Sequence, residues 1–469
     1  MSFLDFLTFT KGKKEENKQM ELTEDEVIEM LKVSPDRFHE FENYYKTKIL
    51  PNAESSGDFF DVNSRQAAVL SKGDIDISVE DTINRIVKEL LSDTEKIVYD
   101  GNSVSCSTFS YDIEHPVTLD EIQQIPRDLR PELTEKYMKV DIKGDTHKEL
   151  LWILKKFQQE KDPKKKTYWY HHFRQGLDIL DVDYITSEII GMNVNSMSHW
   201  LPQLIDANIG KKFFKIPKTI IAKLPVPLLQ LTRNDYMSLT PTTKEIVNRW
   251  ARKAFGLKPG GDYFIKTGTY SSKYDFRNCR VRDDAEIKEL GEYLLYIHFA
   301  ALQMASPLNQ PVVYGVSTTN EWVVREFITD KEHNPTIYKG LPLHTEYRVF
   351  VDCDEKKVLG MIPYWEPNTM KKRFAEHRDG HDVHDEIVYQ TYEEKLMSRY
   401  NENKDDVRQH IEELVQELDL SGQWSIDVMQ NGEDFWLIDM ALAERSFGYD
   451  IAVAVEDRHL TPENWIPKI

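Results

Sequence analysis

The first part of the chain has hydrophobic residues at every third or fourth position, which is the spacing of helices with one apolar face. Residues 78–93 and 145–162 show this repeat, and residues 22–32 have a threonine followed by acidic side chains near their start, as helix N-termini often do. The pattern predicts a mainly helical domain over residues 21–198. Residues 1–20 end in a stretch of mixed charges, and we expect a flexible arm there.

After about residue 199 the pattern changes to short apolar runs separated by turns, with few helices between them. This change predicts an α+β domain over residues 199–469. Between the strand regions, residues 366–422 are highly charged and helical in pattern, so we expect a helical insertion there. A lid or substrate wall is one interpretation of the insertion, and a pair of solvated helices on the rim is the simpler one. The runs that we interpret as strands include 263–266, 321–328, 345–352 and a hairpin over 424–446.

Length and composition agree with a globular protein of more than one domain. The 469 residues exceed the usual size of a single core, and 40% hydrophobic with 11% aromatic residues is too rich for a disordered chain. The net charge of -20 argues against broad contacts with phosphate backbones, so we expect no nucleic acid as the main partner. The three cysteines lack a C-x-x-C spacing, which indicates neither a disulfide framework nor a thiolate zinc site.

The sequence shows no signal for export or for membrane insertion. Its apolar runs are shorter than the ~18 residues of a membrane helix, and Asp5 stands where a secretory signal would carry basic residues. We therefore expect no membrane span and a cytoplasmic location.

A candidate phosphate-binding loop follows the strand that ends in Lys266. Gly268 would allow the backbone to approach a ligand closely, and Ser271 and Ser272 offer hydrogen-bond donors. Lys266 and Lys273 supply positive charge. A surface hairpin with solvated lysines is the alternative. The chain has neither G-x-x-x-x-G-K-[ST] nor G-x-G-x-x-G after a strand, so any ATP site must use another fold.

Charged residues interrupt the apolar strands further along the chain. An isolated buried charge is costly, so such residues need partners or a wet cleft. Two acids on adjacent strands suit Mg²⁺, which completes its coordination with water and phosphates, and the planar fork of an arginine suits a phosphate oxygen. The alternative is a set of ordinary ion pairs at sheet edges. The residues concerned are Arg325 and Glu326, Glu346 and Arg348, and Asp427 and Asp439.

The turn in the last hairpin decides whether Asp427 and Asp439 can share one metal site. Side chains alternate across a strand, and paired residues of a hairpin share a face. A two-residue turn at Asn431-Gly432 would put the aspartates on opposite faces, whereas a three-residue turn over Asn431–Glu433 would put them on the same face. We predict the longer turn.

The order of these motifs resembles that of the ATP-grasp superfamily. Its members carry a strand lysine, a flexible Gly/Ser loop, a hinge strand with a glutamate at the adenine, an arginine strand and a hairpin with two acids. The likeness covers about residues 199–450 and is greatest to the branch containing cell division cycle protein 123. One departure is Ala441, where the superfamily often has an asparagine, so metal binding would depend more on Glu444 or water. The matching positions are Lys266, the loop Thr267–Lys273, Glu326 with Phe327 and Ile328, Arg348, and Asp427 with Asp439.

The resemblance implies an α+β, ATP-grasp-like domain whose two subdomains clasp a nucleotide, preceded by the mainly helical domain. It implies ATP and Mg²⁺ as cofactors, with Lys266 and Arg348 as catalytic groups that position and neutralise the phosphates. The expected function is an ATP-dependent ligase that joins a carboxylate to an amine through an acyl phosphate. Both substrates are unidentified, and one could be a peptide or a protein. The alternatives are an ATP-binding assembly factor that holds a partner protein without ligating it, and a purely structural interaction protein.

Overall fold

Two main β-sheets and the helices packed on them form most of the part of the chain that the computed structural model describes. The predicted arm at 1–20 and the predicted helix at 22–32 lie outside this part. The α+β class predicted from the sequence is confirmed. The described part comprises residues 79–133, 146–162, 191–305, 317–376 and 382–459, with a few single residues between 165 and 190.

The elements are named here in chain order. The strands are β1 (Glu95–Tyr99), β2 (Val104–Thr108), β3 (Phe214–Lys215), β4 (Thr219–Lys223), β5 (Tyr263–Thr267), β6 (Arg280–Val281), β7 (Glu321–Glu326), β8 (Thr336–Ile337), β9 (Leu341–Pro342), β10 (Thr345–Asp352), β11 (Lys357–Pro363), β12 (Gln423–Asn431) and β13 (Asp434–Leu442). The α-helices are α1 (Val79–Ser92), α2 (Leu119–Gln124), α3 (Thr146–Gln159), α4 (Met197–Ala207), α5 (Val226–Leu231), α6 (Pro241–Phe255), α7 (Asp284–Lys288), α8 (Leu290–Ala305), α9 (Pro367–Glu376), α10 (Asp382–Glu417) and α11 (Tyr449–Ala452). Across the described ranges, every helix is too short or too polar to cross a membrane.

Local sequence signals explain where α6 begins and ends. The Thr240 side chain accepts a hydrogen bond from the Thr243 amide, and Pro241 takes the first helical position, where its missing N–H has no intrahelical partner to lose. The helix ends at Gly256, which adopts a left-handed conformation with φ of 59°. The predicted helices at 78–93 and 145–162 are present as α1 and α3.

The first sheet has six strands in the order β2-β1-β4-β7-β5-β6, and neighbouring strands are antiparallel. One of its faces packs on α1, α6 and α8 around a core that includes Trp250 and Trp322. β1 and β2 lie within the predicted helical domain, yet the structure places them in the same sheet as β5 and β7. The reason is that β1 pairs with β4, more than 100 residues further along the chain.

The second sheet has five strands in the order β11-β10-β12-β13-β3, antiparallel except for the parallel pair of β13 and β3. One of its faces packs on α4 and α10. The helices predicted within 366–422 are present as α9 and α10, but the second half of α10 is not a solvated rim. Val407, Ile411 and Leu414 recur at helical spacing and are fully buried in this core.

The β12–β13 hairpin differs from its predicted register. Asn431 pairs with Asp434, so the turn has two residues, Gly432 and Glu433, and the predicted three-residue turn is wrong. Gly432 takes the positive φ of 65° that such a tight turn needs. The register then shifts at Ile438, so that Asp427 lies directly opposite Asp439. A β-bulge therefore places the aspartates together, because it inserts one extra residue into β13.

Candidate functional site

A cavity lies between the sides of the two sheets that face each other, a space that we call the cleft. It encloses about 880 Å³, part of it open to solvent, which is within the usual range of about 300–1,000 Å³ for small-molecule sites. Its first wall is formed by the cleft-facing sides of β5 and β7. Its second wall is formed by those of β10, β12 and β13.

The apolar end of the cavity consists of aromatic rings and aliphatic side chains. The ring centroid of Phe276 lies 6.0 Å from that of Phe264 and 6.2 Å from that of Phe327. Leu341 and Met429 also line the cavity. A flat apolar group such as a purine base can be buried among such side chains.

Lys266 lies on the first wall and is buried. Because side chains alternate along a strand, Ile265 points into the first core while Lys266 points across the cleft. The Nζ atom of Lys266 lies 2.9 Å and 3.0 Å from the two carboxylate oxygens of Asp439 on β13. This ion pair connects the walls, and the Asp439 side chain remains 40% exposed.

Arg348 and Asp427 form a second ion pair, within the second wall. The two residues are paired in register on β10 and β12. Nε of Arg348 lies 2.8 Å from Oδ1 of Asp427, and Nη2 lies 2.6 Å from Oδ2. Such bidentate pairs are strong and fix the orientation of both groups. Asp427 lines the cavity, and Arg348 holds it from the side.

Glu346 shares the strand face of Arg348, two residues earlier on β10, and lines the cavity. Burial raises the pKa of Glu346 to about 7; Lys273 opposes this shift and Asp427 adds to it. The carboxyl is therefore partly protonated at neutral pH. It contributes less negative charge to the cavity than a fully ionised acid.

Arg325 lies on the first wall, and its residue is only 4% exposed. Its Nε donates to Oγ1 of Thr219 at 3.1 Å, and its Nη1 donates to the carbonyl of Ile438, the residue at the bulge. Its Nη2 is buried and has no hydrogen-bond partner among the described residues. Burial lowers the pKa of Arg325 to about 10, and Asp439 opposes the shift.

The loop after β5 is only partly arranged as the sequence predicts. Ser271 and Lys273 line the cavity, and the Lys273 ammonium lies 3.9 Å from the ring centroid of Tyr364. Ser272 is buried with a positive φ of 49°, and it is not a lining residue. The loop therefore brings one hydroxyl and one ammonium group to the cavity.

Gly268 has a different role from the expected approach to a ligand. It does not line the cavity. A Cβ atom on Gly268 would lie 2.5 Å from Oγ1 of Thr319 and 2.8 Å from Oε2 of Glu321. Glycine is needed here because the chain leaving β5 packs closely on the start of β7.

The predicted hinge strand over 321–328 ends as β7 at Glu326, and Phe327 and Ile328 follow it; these three residues, still called the hinge strand here, line the cavity. The amide of Glu326 donates to the Lys218 carbonyl, and that of Phe327 donates to the Asp262 carbonyl at 3.0 Å. The Phe327 ring lies 3.8 Å from the guanidinium carbon of Arg280. Phe327 and Ile328 are the two backbone positions expected to face adenine. The Phe327 amide already donates to Asp262, whereas the Ile328 amide takes no part in the two hydrogen bonds described above.

The residues that could hold a metal are the facing aspartates, Asp427 and Asp439. Within the described ranges, no three or more His, Cys, Asp or Glu side chains form a group that could hold a metal ion. Two carboxylates nevertheless fit Mg²⁺, which takes its other oxygens from water and phosphates. Ala441 pairs with Ser425, and Glu444 is not a lining residue of the cavity.

Several cavity residues were not assigned to the site from the sequence, among them Arg325, Glu346 and Phe276. A signal for the first two was present, since each is a charge inside an apolar strand and Glu346 lies two residues before Arg348. Strand alternation could have placed Glu346 on the same face as Arg348. Phe276 carries no such signal, because it follows a loop and reaches the cavity only through tertiary packing.

No protein-family model and no curated protein matches this chain. Two similar solved structures are C-terminally truncated Cdc123 and Cdc123, both from Schizosaccharomyces pombe. The first has 14% identity and a TM-score of 0.35, and the second has 15% and 0.33. In each case the match covers 58% of this chain and 95% of the other. Cdc123 is the branch that the motif order resembles, but at these TM-scores the likeness carries no argument about this chain.

Proposed function

We propose that the cleft binds ATP together with Mg²⁺. The observation that carries this proposal is that one cavity has an apolar end, with Phe264, Phe276 and Phe327, and a charged end, with Lys266, Asp427 and Asp439. The apolar end suits a base, and the charged end suits phosphates with a metal ion. The hinge strand lies beside the apolar end, while Asp427 and Asp439 lie at the charged end.

The charges at the charged end fit this ligand in sign. Lys266, Lys273 and Arg325 line the cavity, and Arg348 holds Asp427 from the side. Mg²⁺ would take the oxygens of Asp427 and Asp439, which are at present bound by Arg348 and Lys266. The two basic side chains would then be available to bind phosphate oxygens.

We propose that the bound ATP serves an assembly factor, which holds a partner protein in an ATP-dependent manner. We favour this function over that of a ligase. Phosphoryl transfer needs metal ions that bridge the phosphates and neutralise the developing charge. Here two carboxylates face each other and Ala441 offers no metal ligand. Two carboxylates suffice to hold Mg²⁺ on a bound nucleotide, and holding a partner protein requires no further chemistry from the cleft.

A carboxylate–amine ligase is the second candidate, and the basic side chains favour it. Lys273 lines the same cavity as Lys266, so the site could bind a substrate acid beside the terminal phosphate. Ligation through an acyl phosphate requires no protein nucleophile, only positioning and charge stabilisation.

Equilibrium binding of a non-hydrolysable ATP analogue, measured by calorimetry with and without Mg²⁺, tests the first proposal. We expect binding that Mg²⁺ strengthens and that Asp427→Asn weakens. A folded protein that binds no ATP analogue under either condition would contradict it. A structure of the complex should place the adenine against the hinge strand at Phe327 and Ile328.

Release of ADP, measured with a panel of amino acids and dicarboxylic acids, distinguishes an assembly factor from a ligase. We expect no acceleration by any acid and amine combination. ADP release that depends on both, with formation of the amide, would establish ligation instead. In the favoured case, a protein retained with the ATP analogue should be released when the analogue is removed.

A further inference from the structure

The buried guanidinium of Arg325 is the strongest unexplained feature of the cleft. Thr219 and Ile438 hold its Nε and Nη1 in fixed directions. The remaining group, Nη2, is buried, lacks a hydrogen-bond partner in the described part of the chain, and belongs to a residue that lines the cavity. A buried donor without a partner costs free energy, so a ligand that accepts from it gains what the free protein lacks.

The strand register gives the level of Arg325 along the cleft. On β5, Phe264 lies opposite Arg325, and Lys266 lies opposite Val323. Residues rise about 3.3–3.4 Å along a strand, so Arg325 lies roughly 7 Å beyond the hinge residue Phe327, and Lys266 lies about the same distance further. Arg325 therefore lies at the border of the apolar end, opposite Phe264, on the side towards the Lys266–Asp439 pair.

The bulge in β13 is what holds Arg325 at this level. Ile438 is the residue that the register skips between Leu437 and Asp439. A bulged residue is left out of the regular ladder, and the carbonyl of Ile438 accepts from Arg325 instead. The bulge that brings Asp439 opposite Asp427 thus also fixes the guanidinium.

We propose that Arg325 binds the phosphate group nearest the ribose, while Lys266 binds phosphates further from the base. The inference rests on the proposed ATP binding and adds a residue with a distinct position to it. A guanidinium suits this place because its planar fork can donate to a phosphate while its other nitrogens remain bound to protein. Asp439 lies close enough to stabilise the charge of Arg325 before a ligand arrives.

Affinities for adenosine, AMP, ADP and ATP, measured by calorimetry with the whole chain, test this inference. We expect Arg325→Met to weaken the binding of AMP, ADP and ATP by about tenfold to a hundredfold and to leave the affinity for adenosine unchanged. We expect Lys266→Met to weaken the binding of ATP and ADP more than the binding of AMP. Arg408→Met, at an exposed ion pair on α10, is the control and should change none of the four.

Arg325→Lys serves if the methionine variant does not fold. It should show a smaller loss with the same pattern, because an ammonium keeps the charge and loses the fork. The role of Arg325 would be overturned if the variant that folds lost affinity for adenosine and AMP by the same factor. It would also be overturned if the affinities for all four ligands were unchanged. Failure of the wild-type protein to bind ATP would overturn the proposed function as well, and the two failures are distinguished by the wild-type measurement.

Discussion

The two walls of the cleft differ in how their charges are satisfied. In the second wall, Asp427 is held by Arg348 from a neighbouring strand of the same sheet. In the first wall, Lys266 pairs with Asp439 on the opposite sheet, and Arg325 donates to Thr219 on its own sheet as well as to Ile438 on the opposite one. The Arg348–Asp427 pair is therefore complete within one sheet, whereas the Lys266–Asp439 pair and the Arg325–Ile438 hydrogen bond depend on contact across the cleft.

This difference separates groups that hold the fold from groups that are available to a ligand. A pair inside one sheet is formed whenever the sheet is formed. A pair across the cleft can exchange its partner for a ligand without loss of a strand contact. Variants of the two walls should therefore differ in whether they change the free energy of unfolding or the affinity for nucleotide.

The largest effect is expected from Arg348→Ala. It leaves Asp427, whose side chain is 8% exposed, without its bidentate partner, and breaking a buried pair in this way costs about 3–5 kcal/mol. Urea unfolding measures the change. Arg408→Ala breaks an exposed pair with Glu412 and should change the free energy of unfolding by no more than about 0.5 kcal/mol. Equal effects of the two variants would show that the Arg348–Asp427 pair stabilises the fold no more than an exposed ion pair does.

The next effect concerns binding. Lys266→Ala should weaken ATP binding by about 1.5–3 kcal/mol, or tenfold to a hundredfold, through loss of a charge-assisted hydrogen bond. Stability should change less than affinity, because Asp439 is 40% exposed and can be solvated. Lys253→Ala, on the exposed side of α6, is the control. Unchanged ATP affinity in folded Lys266→Ala protein would count against the site.

Gly268→Ala tests whether Gly268, in the loop after β5, packs against β7 or contacts bound ATP. The added methyl group meets Thr319 and Glu321, and overpacking of this kind costs about 1–3 kcal/mol. Thermal unfolding measures that loss, and a Thr319→Ala background should reduce it. A variant with normal stability and weakened ATP binding would show instead that Gly268 approaches the ligand.

The smallest effect is a pH dependence of the free energy of unfolding, which arises from His298 in the core between the first sheet and its helices. Burial lowers the pKa of His298 to about 3; its Nδ1 lies 3.2 Å from the donor Nε1 of Trp322, and its Nε2 lies 3.2 Å from the Ser317 carbonyl. The folded-state pKa is below the unfolded value of about 6.5, so stability present above pH 6.5 is lost as the pH falls towards 3. We expect a loss of about 1–2 kcal/mol between pH 7.5 and 5 from this group.

His298→Gln measures this contribution, because an amide can accept from Trp322 and donate to Ser317 without titrating. Urea unfolding at several pH values should show a smaller acid loss in the variant than in the wild type. Burial also lowers the pKa of His344 in the cleft, so some acid sensitivity should remain. An identical pH profile for both proteins would contradict the assignment to His298.

Several elements of the fold were predictable because their signals are local. The strand predicted at 345–352 is β10 with the same limits, and the strand ending in Lys266 is β5 with one further residue. The helices at 78–93 and 145–162 differ from α1 and α3 by a few residues at their ends. In each case, side-chain alternation or helical spacing depends on neighbours within one element.

The contents of the site were predicted better than its connections. Lys266, Lys273, Ser271, Asp427, Asp439 and the hinge residues all line one cavity, as expected from the motif order. The turn length was predicted wrongly, and the two aspartates face each other because of a bulge that no local pattern indicated. The role of Gly268 also depends on Thr319 and Glu321, which the sequence around the glycine does not reveal.

Local patterns were sufficient for α1, α3, β5 and β10 and for the charged residues inside the later strands, since these properties follow from residues a few positions apart. Which charges meet depends on the packing of the two sheets. Lys266 and Asp439 are 173 positions apart, and Arg325 reaches Ile438 over 113. Contacts at such separations depend on how two sheets pack and on one inserted residue in β13. A single inserted residue reverses the side of the sheet on which every later side chain lies, so spacing along the chain could not specify the site.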